Sequence, residues 1–300
     1  MLRFFAILVW LGSFVGLLSP LITPLFINRL PTAAWLFDLA SHWQWLYMLL
    51  LVLSTLLLAT KHKKWLLSLI FIALPFLTVA PVLPTAKTNT TPFKIISANA
   101  YFENPDLSRL KTLIDQETPD VIVLVELAPQ HVSQVKAWKN YPHQVLKPLN
   151  SPFGMAILSR LPLSQTKTLA DQAGMQHIAT QIAYTQPIQL IGFHPAPPIN
   201  ERLYRARDAM LQKITRSGSQ PTLIAGDFNA SPWSSAFQGL AAKNFYRTLN
   251  LLPTWPTKWQ GVLGIPIDQV LASGQWKLVK AKVGSSIGSD HYPIIVELSL

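Results

Sequence analysis

Three apolar runs free of internal charge dominate the start of the chain: Phe4 to Ile27, Trp43 to Ala59 and Trp65 to Leu83. Roughly 20 helical residues cross a hydrocarbon layer about 30 Å thick, and each run is near that length. The pattern predicts three transmembrane helices within residues 1–83. A buried helix hairpin of a soluble protein explains one such run but not three in succession. A cleaved signal peptide accounts only for the first, and no small-residue cleavage site follows it. Pro20, Pro24, Pro75 and Pro81 are expected to kink or end these helices. Arg3, and Lys61-His62-Lys63-Lys64 between the second and third runs, should face the cytoplasm by the positive-inside tendency. Three spans then describe a multi-pass protein of a bacterial inner membrane, with everything after residue 84 periplasmic or extracellular.

The pattern changes after this region. Residues 84–92 are polar, bounded by Pro84 and Pro92, and read as a linker to a domain over 93–300. Strand-length apolar runs follow at Phe93–Ser97, Val121–Val125, Gly154–Leu158, Gln189–Phe193, Thr222–Ala225, Ile267–Leu271 and Ile294–Leu298. Leu107, Leu110, Leu113 and Ile114 have helical spacing with Asp106 as N-cap, and Arg202 to Ile214 reads as a basic helix. Its Arg202, Arg205 and Arg207 are expected on a solvated face. Strands interleaved with helices predict a mixed α/β domain of two packed sheets or one large sheet.

Charge changes this picture little. Of 25 basic and 14 acidic residues, 20 and 13 follow residue 83, a surplus of +7 that suits a polyanion, an anionic membrane surface or a phosphate-bearing substrate without choosing among them. The chain has no cysteine, which excludes disulfides, thiolate metal sites and a cysteine nucleophile.

Candidate chemistry sits where the apolar runs stop. Thr222 to Ala225 ends in Gly226-Asp227-Phe228-Asn229. Alternation along an extended chain points Asp227 and Asn229 the same way and Phe228 into the core. A carboxylate beside a carboxamide can bind a hard cation, orient a water or hold a phosphate oxygen; it can equally cap a turn. Asn99, Glu126, His194, Asp268, Asp290 and His291 also close or interrupt apolar runs. Singly each is ordinary. Collected from six strands, they match the way catalytic groups gather at one edge of a sheet.

The stretches Pro119–Leu127, Gly154–Arg160, Gly226-Asp227-Phe228-Asn229, Ile267-Asp268 and Gly288-Ser289-Asp290-His291-Tyr292-Pro293 occur in an order and at separations that resemble the endonuclease/exonuclease/phosphatase (DNase I-like) superfamily, from about residue 93 to 300. The resemblance implies a four-layered α/β sandwich and metal-dependent cleavage of a phosphoester by water. It implies Mg²⁺ or Mn²⁺ near Glu126, Asn99 and Asp290, and Asp227 and Asn229 on the attacking water or a phosphate oxygen. It also implies that Asp268 orients His291, and that His291 and His194 donate to nonbridging oxygens. Arg160 fits a surface role or a phosphate contact.

The expected partners are the lipid bilayer and a phosphoester, either a lipid headgroup or nucleic acid; the sequence indicates no protein partner. A non-catalytic phosphate- or lipid-binding module on the same fold is the competing function, opposed by the presence of every expected acidic and imidazole position.

Overall fold

The computed structural model describes residues 1–87, 91–216 and 220–300; residues 88–90 of the predicted linker lie outside these. The first apolar run forms α1 (Leu2–Phe26), the one described helix long and apolar enough by itself to cross a membrane. The second lies in α3 (Gln44–Ala59), which with α2 (Pro31–Ser41) meets the same test only as a pair bent by 74°. The third is a 3₁₀ helix, Lys63–Ala73, followed by the short α4 (Leu74–Thr78). Three predicted transmembrane helices are thus corrected to one, and the multi-pass expectation loses its support. The physical reasons lie outside hydropathy. Pro75 has no N–H to carry an α-helical ladder inward, and a new helix starts at Leu74 with Pro75 in its first turn. The break between α2 and α3 is pinned by His42, whose Nδ1 lies 2.9 Å from Ser231 Oγ and accepts from Ser231 N at 3.1 Å.

These helices pack on each other. Trp10 Nε1 donates to Ser68 Oγ at 3.1 Å, and the Trp10 ring meets Trp65 edge-on at 5.4 Å. Their outer faces leave large apolar side chains exposed, among them Leu8, Leu11, Leu53, Leu67 and Ile70.

The remainder is built from β1 (Phe93–Asn99), β2 (Val121–Val125), β3 (His143–Lys147), β4 (Met155–Ser159), β5 (Leu163–Ala170), β6 (Gln176–Ala183), β7 (Pro187–Gly192), β8 (Thr222–Asp227), β9 (Phe245–Arg247), β10 (Asp268–Ser273), β11 (Lys277–Val283) and β12 (Ile294–Ser299). They form two six-stranded mixed sheets, ordered β11-β12-β1-β2-β4-β3 and β5-β6-β7-β8-β10-β9. Each contains one parallel pair joined through a helix: β1–β2 through α5 (Ser108–Glu117), and, after the short α6 (Val132–Lys136), β7–β8 through α7 (Glu201–Ile214).

Strand β2 shows why the arrangement has four layers. Val121, Val123 and Val125 face the other sheet, meeting Leu190, Ala225 and Val270, while Ile122 and Leu124 pack outward with Leu110 and Ile114 of α5. Both faces are covered, so the strand reads as a continuous apolar run. On the far side, Ile224 and Ile191 pack with Met210 and Leu211 of α7. The predicted α/β sandwich is observed. Strand β5 escaped the sequence reading because it is an exposed edge strand with no apolar run. Before β1 the chain is already tied down, since Ala86 N donates to Leu278 O of β11 at 3.0 Å.

Candidate active site

All eight candidate residues come to one edge of the sandwich. Asn99 ends β1, and Glu126 follows β2 directly. Asp227 ends β8, facing Asp268 at the start of β10 in antiparallel register. His194 lies two residues beyond β7, Asn229 two beyond β8, and Asp290 and His291 in the loop before β12.

Two carboxylates directly opposite repel one another, and His291 offsets the repulsion. Its Nδ1 lies 2.8 Å from Asp268 Oδ2, and its Nε2 lies 3.8 Å from Asp227 Oδ2. His194 Nε2 lies 3.8 Å from the same Asp227 oxygen. Asp227 Oδ2 thus faces two imidazoles at a distance too long for direct hydrogen bonds.

Burial and charge set the protonation of this cluster. Burial pushes the Asp227 carboxyl well above the usual range; the His291 charge pulls it back and the Asp268 carboxylate adds to the rise. For His291 burial acts downward, but Asp268, Asp227 and Asp290 outweigh it and raise the imidazole to about 10. Burial, with His291 and His177, holds His194 down at about 3. One imidazole is therefore cationic at neutral pH and the other neutral.

The Asp-x-Asn turn is capped locally, and one carboxylate oxygen is left over. Asp227 Oδ1 accepts from Asn229 N at 2.8 Å, a local turn bond, while Oδ2 stays turned to the histidines. Asn229 has φ 47°, its Nδ2 donates to Pro195 O at 3.0 Å, and Phe228 packs inward between Phe193 and Phe237. Gly226 makes the turn possible. Its φ is +149°, and a Cβ there would lie 2.0 Å from Phe193 O. Gly226→Ala is expected to cost about 3 kcal/mol or more of stability, measured as a thermal-melt shift of the full chain.

Glu126 adopts φ 58°, a strained conformation for a glutamate. Its Oε1 accepts from Asn99 Nδ2 at 2.9 Å and its Oε2 from Phe102 N at 3.0 Å, and burial pushes its carboxyl up. Asn99 Oδ1 accepts from Tyr101 N, so this carboxamide orients Glu126 through its NH₂ side. Asp290 Oδ2 accepts from Trp255 Nε1 at 3.0 Å, whereas its Oδ1 is buried with no hydrogen-bond partner. An orphaned carboxylate oxygen in the same cleft as Glu126 is a donor set that suits a hard divalent cation. Asp227, Asp268 and His291 also bring ligand atoms within 4.8 Å of one another, but Asp268 and His291 are already hydrogen-bonded face to face.

Several supporting residues were missed from sequence. Thr254 Oγ1 accepts from Asp268 N at 3.1 Å, and His177 Nδ1 accepts from His194 N at 3.2 Å. His177 follows Gln176 at the start of β6, where no local pattern singles it out. Arg207 is not on a solvated face: it is fully buried and donates to Asn229 O at 2.9 Å. Arg160 is exposed, with its guanidinium 3.4 Å from Thr118 O.

Comparison with known proteins places these features in context. The model of the Endonuclease/Exonuclease/phosphatase family matches residues 96–291. A UPF0294 protein of Vibrio campbellii is 32% identical over 100 residues, which cover 32% of this chain and 34% of the relative; the match spans about a third of that protein's length. Among solved structures, an endonuclease/exonuclease/phosphatase from Beutenbergia cavernae aligns at TM-score 0.59 and 17% identity, over 70% of this chain and 72% of its own. TDP2 of D. rerio, complexed with single strand DNA product, aligns at 0.58 and 18%, over 70% of this chain and 100% of its own. An AP endonuclease from Archaeoglobus fulgidus aligns at 0.56 and 15%, over 69% and 100%. At these identities the structural matches show the shared fold.

Proposed function

The chain belongs to the endonuclease/exonuclease/phosphatase family, and from that premise we propose that it is a membrane-associated, metal-dependent hydrolase of a phosphoester. The observation that carries this reading is the placement of Asp227 Oδ2 at 3.8 Å from Nε2 of both His194 and His291. A water or a phosphate oxygen seated in the cleft beside these three atoms would meet all of them at once, the separations themselves being too short to hold an oxygen in line.

In this reading Asp227, in its ionised form, accepts from the attacking water and takes its proton as the water oxygen bonds to phosphorus. The ester P–O bond opposite breaks, and the leaving oxygen takes a proton from solvent. His291, kept cationic by Asp268, donates to a nonbridging oxygen as negative charge builds there. His194, a neutral imidazole, donates from one nitrogen to the same phosphoryl group. Asn229 fixes the water or a phosphate oxygen, its carboxamide already anchored on Pro195. Glu126 and Asp290, with Asn99 orienting Glu126, would hold Mg²⁺ or Mn²⁺. Such a cation, when bound, polarises the phosphoryl group and offsets its developing charge.

Membrane association rests on α1 and on the apolar side chains that the helical unit exposes. Arg3 ahead of α1 would keep that end cytoplasmic, which with a single span puts the sandwich outside together with Lys61, Lys63 and Lys64, against the cytoplasmic side expected for those lysines. The division into residues 1–83, 84–92 and 93–300 is proposed on the same basis.

The test is turnover of bis(4-nitrophenyl) phosphate by the detergent-solubilised full chain with Mg²⁺, with Mn²⁺ and with EDTA. The expected result is turnover with either metal, a fall of at least about 100-fold in EDTA, and loss in Asp227→Ala. Turnover that is indifferent to EDTA, or equal in Asp227→Ala, contradicts the proposal.

A further inference from the structure

The catalytic groups occupy one end of a cleft of about 590 Å³ whose other walls are apolar. Phe153, Trp255, Ile265 and Ile267 come from the sandwich, while Leu39 and Trp43 come from the helical unit at the start of the chain. Among the described residues no lysine or arginine lines it. A protein that grips a nucleic-acid backbone gains most of its affinity from such cations, so this cleft is poorly suited to a polyanion despite the positive charge of the whole chain.

The cleft continues. A second cavity of about 170 Å³ shares His42, Trp43 and Ile265 with it and runs between α3 and the loop before β10. Trp45, Leu46 and Leu49 line one side; Pro253 and Leu263 line the other. Leu46, Leu49, Leu53 and Leu56 follow helical spacing and share one face of α3. The last three are about half exposed, at 49%, 55% and 51%. A mainly apolar track, with His42, Trp43 and Ile265 where the two cavities adjoin, therefore leads from the Asp227 end of the cleft to the exposed apolar exterior of the helical unit.

We infer that this track binds the alkyl chain of a lipid phosphoester, whose phosphate lies between Asp227, His194 and His291 while the hydrocarbon runs along α3. The inference rests on the hydrolase reading of the same site and narrows its substrate class. It also assigns the N-terminal helices a direct part in substrate recognition: α3 is one wall of the binding site as well as part of the apolar unit. A lipid can slide from bilayer to catalytic groups without exposing its chain to water, which is the step whose cost grows with each methylene.

The test uses the full chain in a steroid-based detergent, which carries no alkyl tail to compete for the track. The substrates are ethyl, butyl, octyl and dodecyl 4-nitrophenyl phosphodiesters, with a single-stranded oligodeoxynucleotide as the polyanionic alternative. kcat/KM is expected to rise at least about 10-fold from butyl to octyl and to exceed that for the oligonucleotide. Dodecylphosphonate is expected to inhibit ethyl-ester turnover at lower concentration than ethylphosphonate. Leu263→Arg and Leu49→Arg, each placing a charge in the track, should collapse the octyl-to-ethyl ratio. Equal kcat/KM across the alkyl series in the wild-type chain, or a preference for the oligonucleotide, overturns the lipid assignment while the hydrolase reading stands. No turnover of any ester overturns both.

Discussion

His291→Ala is expected to lower kcat on a phosphodiester by about 1,000-fold, the upper range for losing one donor aimed at developing charge. Most of the loss should fall on kcat rather than KM, since the donor acts mainly as charge moves onto the nonbridging oxygens. The size follows from the preparation of this imidazole. Asp268 holds Nδ1 at 2.8 Å, fixing the ring and its charge, so Nε2 is presented to Asp227 and the cleft. Asp268→Asn is expected to cost on the order of 100-fold by weakening that charge and leaving the ring position nearly intact.

The same pair has a stability consequence. The folded-state pKa of His291 is raised from 6.5 to about 10, so its contribution is fully present below 6.5 and is lost as pH rises through about 10. Thermal melts across that window should show an alkaline decline in the wild-type chain that is reduced in His291→Ala. An identical decline in both would show that other groups govern it.

Arg207→Ala is expected to destabilise the protein by about 3–5 kcal/mol, the usual loss when one partner of a buried ion pair is removed. Its guanidinium is wholly buried. Nη2 lies 2.7 Å from Asp38 Oδ2, Nε lies 2.8 Å from Asp208 Oδ1, and Nη1 donates to Asn229 O. Without it, the fully buried Asp38 keeps hydrogen bonds from Ser234 and Ser235 but loses its counter-charge. Asp38→Ala should cost less, since Arg207 keeps Asp208 as a partner, and the double variant less than the sum of the two, because in it Asp38 is no longer left as a buried charge without its guanidinium. Additive losses in thermal melts would disprove the coupling. Activity should fall too, since Arg207 and His42 both hold the segment from Asn229 to Ser231 that follows Asp227, the proposed base.

This network shows where sequence reading reached its limit. Arg207 lies in a basic helix with Arg202 and Arg205, and nothing local separates it from them. Asp38 lies 169 residues away, in the stretch between the first two apolar runs. Their pairing exists because α2 packs against α7, and helix packing leaves no periodic trace in either segment. Hydropathy likewise overstated the spans: it registers apolar content, but not the 74° break at His42 or the fresh helix start at Leu74.

The strand ends were legible for the opposite reason. A buried strand must be apolar along its length, so the first polar residue after Val125, or at the end of Thr222–Asp227, marks where the chain leaves the core. That constraint is local, and it singled out Glu126, Asp227 and their companions, within a mixed α/β pattern of either two packed sheets or one large sheet. The sequence by itself therefore determined a mixed α/β domain with a chemically equipped edge, and its resemblance to the family implied the sandwich. Only the tertiary structure decided that Asp268 faces Asp227 with His291 between them, that Arg207 is buried, and that α3 walls the cleft. Each of these depends on distances between segments far apart in the chain, which packing fixes and periodicity does not encode.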